Sequence, residues 1–264
     1  MKKVIAGMLM TLCFAAPVLA DEGEELAKKL ANPIASLISV PIQANYDENF
    51  NADERGSVWR TNVQPVIPVS FNEDLNLISR TILPIIDQND VPAVGRGESG
   101  IGDIVQSIFF SPKLPTANGL VWGVGPVILL PTASKSALGG EKWGLGPTAV
   151  ALKQDGPWTY GALVNHIESF AGDNSRADIS ATFIQPFLAF VTHTKTTFSL
   201  NTESTYDWEN EEWSVPINFM VSQLLKVGPQ IIQVGAGVRY WADSSTAGPE
   251  DLGLRLQLTF LFPK

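Results

Sequence analysis

Apolar and polar residues alternate along many short segments of this chain. The last such segment has an unbroken apolar face, formed by Leu254, Leu256, Leu258, Phe260 and Phe262. The residues between them include Arg255, Gln257 and Thr259. A period of two with one apolar face indicates a half-buried β-strand. The mean hydropathy is positive, +0.10, and only 17% of residues are charged. Beyond the amino-terminal segment, however, no apolar run reaches the ~18 residues of a transmembrane helix, a combination typical of a transmembrane barrel.

The alternation divides the chain from Ser39 onward into about twelve strand-length segments, each long enough to cross a bilayer when tilted. They span approximately 39–47, 58–70, 75–86, 101–110, 120–131, 142–152, 158–169, 178–190, 196–208, 213–224, 230–241 and 252–262. The fold class that this predicts is all-β, a transmembrane antiparallel up-and-down β-barrel of about 12 strands with a short amino-terminal helix.

The amino terminus has the features of a secretory signal. Lys2 and Lys3 precede a short apolar stretch, and small residues end at Ala20. We therefore assign residues 1–20 to a cleaved signal peptide, 21–38 to a short helical segment and 39–264 to the barrel. Cys13, the only cysteine, lies in the signal, so the mature chain has no thiol for a disulfide, a metal or catalysis.

Residues 22–31 are predicted to form an amphipathic helix, with Leu26 and Leu30 on one face. The pattern is compatible with a helix in the periplasm and with a plug inside the barrel.

Links and aromatic residues orient the predicted barrel. The longest links, 87–100, 132–141 and 243–251, alternate with tight ones and are expected to face outside. All seven tryptophans fall near strand ends, as in the aromatic girdles of membrane barrels. The expected outer girdle contains Trp59, Trp143, Trp208, Trp213 and Trp241, and the inner one Trp122 and Trp158. Several prolines fall inside strands, where bulges or early strand ends are expected.

The charge balance excludes one class of partner. The formal net charge is -9, whereas a nucleic-acid binder needs a basic face. The chain has two histidines and no cluster with metal-ligand spacing, so we expect no metal, no cofactor and no nucleic acid. Expected partners are outer-membrane lipid, the barrel-assembly machinery and a small-molecule ligand, with either a monomer or an oligomer compatible with the pattern.

Polar side chains on the inner face of a barrel set its selectivity. The candidate lumen-lining residues are Arg80, Asn201, Glu203, Asp207, Arg239 and Arg255. They could form a substrate site or a satisfied network of interior ion pairs, and both interpretations stay open.

Several short segments that contain glycine or proline resemble the outer-membrane β-barrel family named for the meta-pathway of phenol degradation. Among them are Trp122–Pro126, Trp143–Pro147, Gly237–Trp241 and Phe262–Lys264. The resemblance covers roughly residues 100–264. It implies a barrel of "transporter" type that takes up small, often aromatic compounds, and it transfers no binding or catalytic residue.

Three functions follow as hypotheses. The first is a porin-like channel or transporter for small aromatic or hydrophobic molecules in a Gram-negative outer membrane. The second is a structural or adhesive barrel without transport. The third is an outer-membrane lipid hydrolase in which Ser169 or another hydroxyl pairs with His166. In an extended strand His166 and Glu168 share a face while Ser169 points away, so we expect no enzyme and no catalytic residues.

Overall fold

The structure is a computed structural model that describes residues 20–51 and 54–263. The predicted signal peptide lies outside the described residues except for Ala20. Among the described helices, none is long and apolar enough to cross a membrane.

One α-helix, one 3₁₀ helix and fifteen β-strands make up the described chain. Helix α1 spans Ala20–Leu30 and the 3₁₀ helix spans Ser136–Leu138. The strands are β1 (Ile38–Phe50), β2 (Gly56–Val63), β3 (Val66–Ser70), β4 (Leu75–Asn89), β5 (Gly97–Ile101), β6 (Ile104–Pro112), β7 (Leu120–Leu130), β8 (Lys142–Asp155), β9 (Trp158–Gly172), β10 (Ser180–Val191), β11 (Thr196–Thr202), β12 (Ser204–Asp207), β13 (Glu212–Val227), β14 (Gln230–Asp243) and β15 (Leu252–Phe262).

These strands form a closed antiparallel barrel. Strand β1 pairs with both β2 and β15, and the pairing of β9 with β10 completes the circuit. Three strands of the barrel are each interrupted once and therefore consist of two segments: β2 with β3, β5 with β6, and β11 with β12. The barrel therefore has twelve strands, which confirms the predicted fold class and strand number.

The three interruptions lie at residues with polar side chains. Gln64 separates β2 from β3, Asp103 lies between β5 and β6, and Glu203 separates β11 from β12. A local break in the ladder bends a strand and re-aims a side chain. Asp103 accepts hydrogen bonds from the backbone N–H groups of Ala133 (3.0 Å) and Gly140 (2.6 Å), and so holds one long loop at the barrel mouth.

Most strand prolines do not produce the expected bulges. Pro68 and Pro84 pair in register with Ile78 and Asn62. Pro126 and Pro147 lie opposite each other in an unshifted register. Pro216 alone among these five follows the expectation, because the register of β13 against β14 shifts between Val215 and Pro216.

The two ends of the barrel differ. At one end, called the helix end below, lie α1, the first residue of β1 and tight turns such as 156–157 and 228–229. The opposite end, called the loop end, carries the longer links, including 131–141 and 244–251. The predicted link 87–100 is shorter than expected, because 87–89 pair with 97–99 and extend the barrel wall. Leu138 of the loop-end link 131–141 packs against Val58 and Ile86 and narrows the mouth.

The tryptophans occupy strand ends, with one departure from the predicted girdles. Trp59, Trp143, Trp158, Trp208 and Trp213 are all at least 40% exposed. Trp241 instead shares a face with Arg239 and donates its indole N–H to Asp47 at 2.9 Å. Trp241 therefore lies in the interior, because the buried carboxylate of Asp47 is stable only when it is hydrogen-bonded.

The amino-terminal segment enters the helix end of the barrel. Ala27 of α1 is fully buried against Val191, Leu224 and Leu261. Farther along, Ile34 packs into a cluster of barrel residues, formed by Ile78, Phe109, Val150, Leu152 and Leu163. Residues of this segment thus contact barrel residues at the helix end and farther along, and the segment 21–37 is called the plug below.

Candidate functional site

The middle of the barrel contains an ionic network on the inward faces of the strands. Along β15, Arg255 and Thr259 are buried while Leu254 and Leu256 are exposed to the membrane side. Along β1, Asn45 and Asp47 are buried in the same way. Period-two alternation thus places the polar residues of neighbouring strands β14, β15 and β1 next to one another inside.

Glu203 and Arg255 form the centre of the network. The guanidinium of Arg255 donates two parallel hydrogen bonds to the Glu203 carboxylate, from Nη1 at 3.0 Å and from Nη2 at 2.7 Å. Its Nε donates to the side-chain oxygen of Asn45 at 2.8 Å. The Arg255 side chain is only 3% exposed, so this bidentate pair is a buried interaction of the strong kind.

Asp47 and Arg239 form a second pair on the loop-end side. Arg239 Nε lies 3.1 Å from Asp47 Oδ1, although the approach is not aligned for a hydrogen bond. The guanidinium carbon lies 5.0 Å from the centre of the Trp241 ring, a cation–π distance. Arg239 Nη1 also lies 3.7 Å from Glu203, so the two pairs join into one network in which both carboxylates have cationic partners.

Two further arginines face the interior without such partners. Arg80 donates from Nη2 to the side-chain oxygen of Gln64 at 3.1 Å. Arg60 lies on the same face of β2 as the buried Val58. Among the described residues, no carboxylate oxygen lies within 4.0 Å of either guanidinium; Asp47 and Glu203 act on them only from farther away.

Two cavities lie beside the plug, and one of them also reaches this network. The first, of about 200 Å³, is lined by Arg80, Glu203 and Arg255 together with Leu30, Pro33 and Leu37 of the amino-terminal segment. A second cavity of about 180 Å³ also reaches Arg80 and the plug. Gln185 and Asn201 line both. The combination of amide groups, a guanidinium and an apolar floor is suited to a small ligand with one polar end.

The plug is also held by polar contacts at the helix end. Gln154 donates to the backbone carbonyl of Lys28 at 2.8 Å. Glu24 pairs with Lys28 (2.9 Å) and with His193 in the turn after β10 (2.9 Å). These two partners, Lys28 first, lower the pKa of Glu24 below its ordinary value of 4.5.

The predicted lumen residues are distributed over three environments. Glu203, Arg239 and Arg255 share the ionic network, and Arg80 lies at the cavities. The side-chain oxygen of Asn201, at the cavity wall, accepts a hydrogen bond from Asn218 at 2.9 Å. Asp207 does not reach the network, because its carboxylate accepts from the backbone N–H groups of residues 209 and 210 in the hairpin turn.

Sequence reasoning missed Asp47, Arg60 and Trp241. A signal was available for the first two. Asn45 and Asp47 alternate with Tyr46, and Arg60 follows Trp59; an aromatic residue at the interface implies that its neighbour faces inward.

His166 lies on the outward face near the loop end. Its Nδ1 lies 2.9 Å from Thr182 Oγ1, and its Nε2 lies 3.4 Å from Glu168. Ser169 does not contact it: the Ser169 hydroxyl accepts from the backbone N–H of Ile179 and donates to Asp178. Thr182 also accepts the indole N–H of Trp208 at 2.8 Å. Among the described residues no group of three or more potential ligands could hold a metal ion.

Comparisons with known proteins define the class. The COG4313 outer membrane channel from Pseudomonas putida F1 superposes with a TM-score of 0.67 at 14% identity, over 86% of this chain and 96% of that one. Outer membrane phospholipase A from Escherichia coli superposes with a TM-score of 0.52 at 7% identity, over 85% and 90%. No family model and no curated protein matches the chain. At these identities the likeness concerns the fold, and the fold is that of an outer-membrane β-barrel.

Proposed function

We propose that this protein is a plugged channel of the Gram-negative outer membrane that passes small organic molecules. The observation that carries the proposal is the pair of cavities beside the plug, the first of which also reaches the ionic network. A barrel of about twelve strands is wider than those near eight, which side chains fill, and narrower than open porins of sixteen or more. A polar interior with a removable obstruction is what a selective pathway requires. The proposal assigns no catalytic step to the chain.

The residues that line the first cavity indicate which class of molecule the channel passes. The polar groups of Arg80 and Asn201 line the first cavity together with the apolar side chains of Leu30 and Leu37. This suits a molecule with one polar and one apolar end. The resemblance to the phenol meta-pathway barrels and the superposition on a protein described as a channel support the same proposal.

Single-channel recording tests it. The chain from Asp21 onward is reconstituted in planar bilayers beside a variant that lacks residues 21–37, with folding of both checked by heat-modifiable gel migration. The intact protein is expected to give small, infrequent steps, and the shortened barrel larger and more persistent ones, because Ile34 and its neighbours no longer fill the helix end. Folded barrels that are silent in both forms would refute a channel and favour the structural or adhesive alternative.

A further inference from the structure

We infer that Arg80 forms a binding site for the carboxylate of a small organic acid, with the apolar body of that acid resting on the plug. The inference rests on the proposed function in that the site lies on the proposed pathway. It goes further, because it assigns the charge of the cargo and the residue that recognises it.

The first step is the charge balance of the interior. Arg239 and Arg255 neutralise Asp47 and Glu203. Arg60 and Arg80 then leave two positive charges in the middle of a protein whose net charge is -9. Low-dielectric walls focus such a field, so an anion is attracted into this interior while cations are repelled.

The second step is the hydrogen-bonding capacity of Arg80. A guanidinium has five N–H donors in a planar fork that matches a carboxylate. Within the part of the chain that the structure describes, the Arg80 guanidinium makes one hydrogen bond, to Gln64, and Arg80 lines both cavities. Glu203 lines the first of these cavities as well, but its two oxygens accept from Arg255 and, among the described residues, no carboxylate oxygen lies within 4.0 Å of Arg80.

The third step is the apolar part of the cavity lining. Leu30, Pro33 and Leu37 of the amino-terminal segment line the cavity of about 200 Å³ together with the polar groups. An inorganic anion would leave that apolar part unused, whereas a single-ring acid would cover it. The site therefore favours a carboxylate with an apolar ring over chloride, phosphate or acetate.

Arg60 extends the positive interior toward the loop end. Arg80 pairs with Val66, six residues beyond Arg60 on the same barrel strand. At about 3.3 Å per residue the two positions are roughly 20 Å apart along the wall. Arg60 thus lies on the approach from the loop end and Arg80 at the cavity.

The test compares benzoate with benzamide, which has nearly the same shape and no charge. Dissociation constants are measured by titration calorimetry on the folded protein in detergent micelles. Benzoate is expected to bind about ten times more tightly than benzamide, and Arg80→Gln is expected to weaken benzoate binding about tenfold while changing benzamide little. The exposed Lys113→Gln serves as the charge-matched control and should change neither. Acetate should bind at least about ten times more weakly than benzoate, because it lacks the apolar body.

Equal affinity for benzoate and benzamide would overturn the inference, as would an unchanged benzoate affinity in folded Arg80→Gln. Phosphate binding as tightly as benzoate would overturn the assigned ligand class. If Arg80→Gln does not fold, Arg80→Lys decides: it keeps the charge, and it must keep the preference for benzoate over benzamide. A silent barrel that binds benzoate through Arg80 would refute only the channel, and a conducting barrel without this preference would refute only the site.

Discussion

Replacing Glu203 with glutamine tests whether the ionic network holds the barrel together. The change keeps the shape of the side chain and removes the carboxylate that Arg255 and Arg239 share. Those two side chains are 3% and 8% exposed, so water replaces the lost interaction poorly. Breaking a buried ion pair by removing one partner costs about 3–5 kcal/mol.

Three features of the site reduce that figure. Glu203 is 21% exposed to the interior, Arg255 keeps its bond to Asn45, and the glutamine carbonyl can still accept one N–H. One charge-assisted bond is then lost and a second becomes neutral, which corresponds to about 2–3 kcal/mol.

Equilibrium unfolding in urea, followed by tryptophan fluorescence in lipid vesicles, measures this loss. The control is Glu209→Gln, an exposed residue in the hairpin turn beside the same barrel strand, for which less than about 0.5 kcal/mol is expected. A cycle that combines Glu203→Gln with Arg255→Gln should show a coupling of at least about 1.5 kcal/mol. A loss for Glu203→Gln no larger than that of the control would refute the stabilising role of the network.

Three other predictions concern the wall, the plug and the outward face. Gly146→Ala should lower the free energy of unfolding by about 1–3 kcal/mol, since a Cβ there would lie 1.7 Å from the His166 carbonyl oxygen. Urea unfolding would measure this loss, and an unchanged midpoint would contradict the close approach of the two strands. The contact of Glu24 with His193 in a barrel turn should hold the plug above pH 4.5 and release it as the pH falls through the pKa of that carboxyl, which Lys28 and His193 lower; the conductance should rise there in the intact protein, while Glu24→Gln should show no such pH step. His166→Ala should leave the conductance unchanged and phospholipid hydrolysis at background, and loss of a measurable esterase activity would instead support the hydrolase hypothesis.

The barrel wall could be predicted from the sequence, because alternate residues of each membrane strand face the lipid and the barrel interior. One strand shows this alternation clearly, with Phe198 and Leu200 on one face and Ser199 and Asn201 on the other. The structure pairs this strand in the predicted place. The prediction weakened where strands extend beyond the membrane. Residues 87–89 and 97–99 are polar on both faces, so they look like a loop although they pair as a hairpin.

The location of the helix could not be predicted from its own residues. An amphipathic helix has the same pattern whether it binds a membrane surface or fills a barrel. Its placement depends on Val191, Leu224 and Leu261, which belong to three strands far away in the chain. The partners inside the network were missed for a similar reason. Arg239 and Glu203 are recognisable as inward charges, but only the register shows that Asp47 accompanies them and that Arg80 does not share their carboxylates.

This difference in partners separates the interior arginines into two groups. Arg239 and Arg255 have their charges satisfied by Asp47 and Glu203, so replacing either should alter the stability of the barrel more than its selectivity. Arg60 and Arg80 have no carboxylate within 4.0 Å among the described residues, so replacing them removes an unpaired charge and little packing. Their loss should change selectivity and leave stability nearly intact. The ion-pair interpretation of the lumen residues therefore describes Glu203, Arg239 and Arg255, and the substrate-site interpretation is our proposal for Arg80.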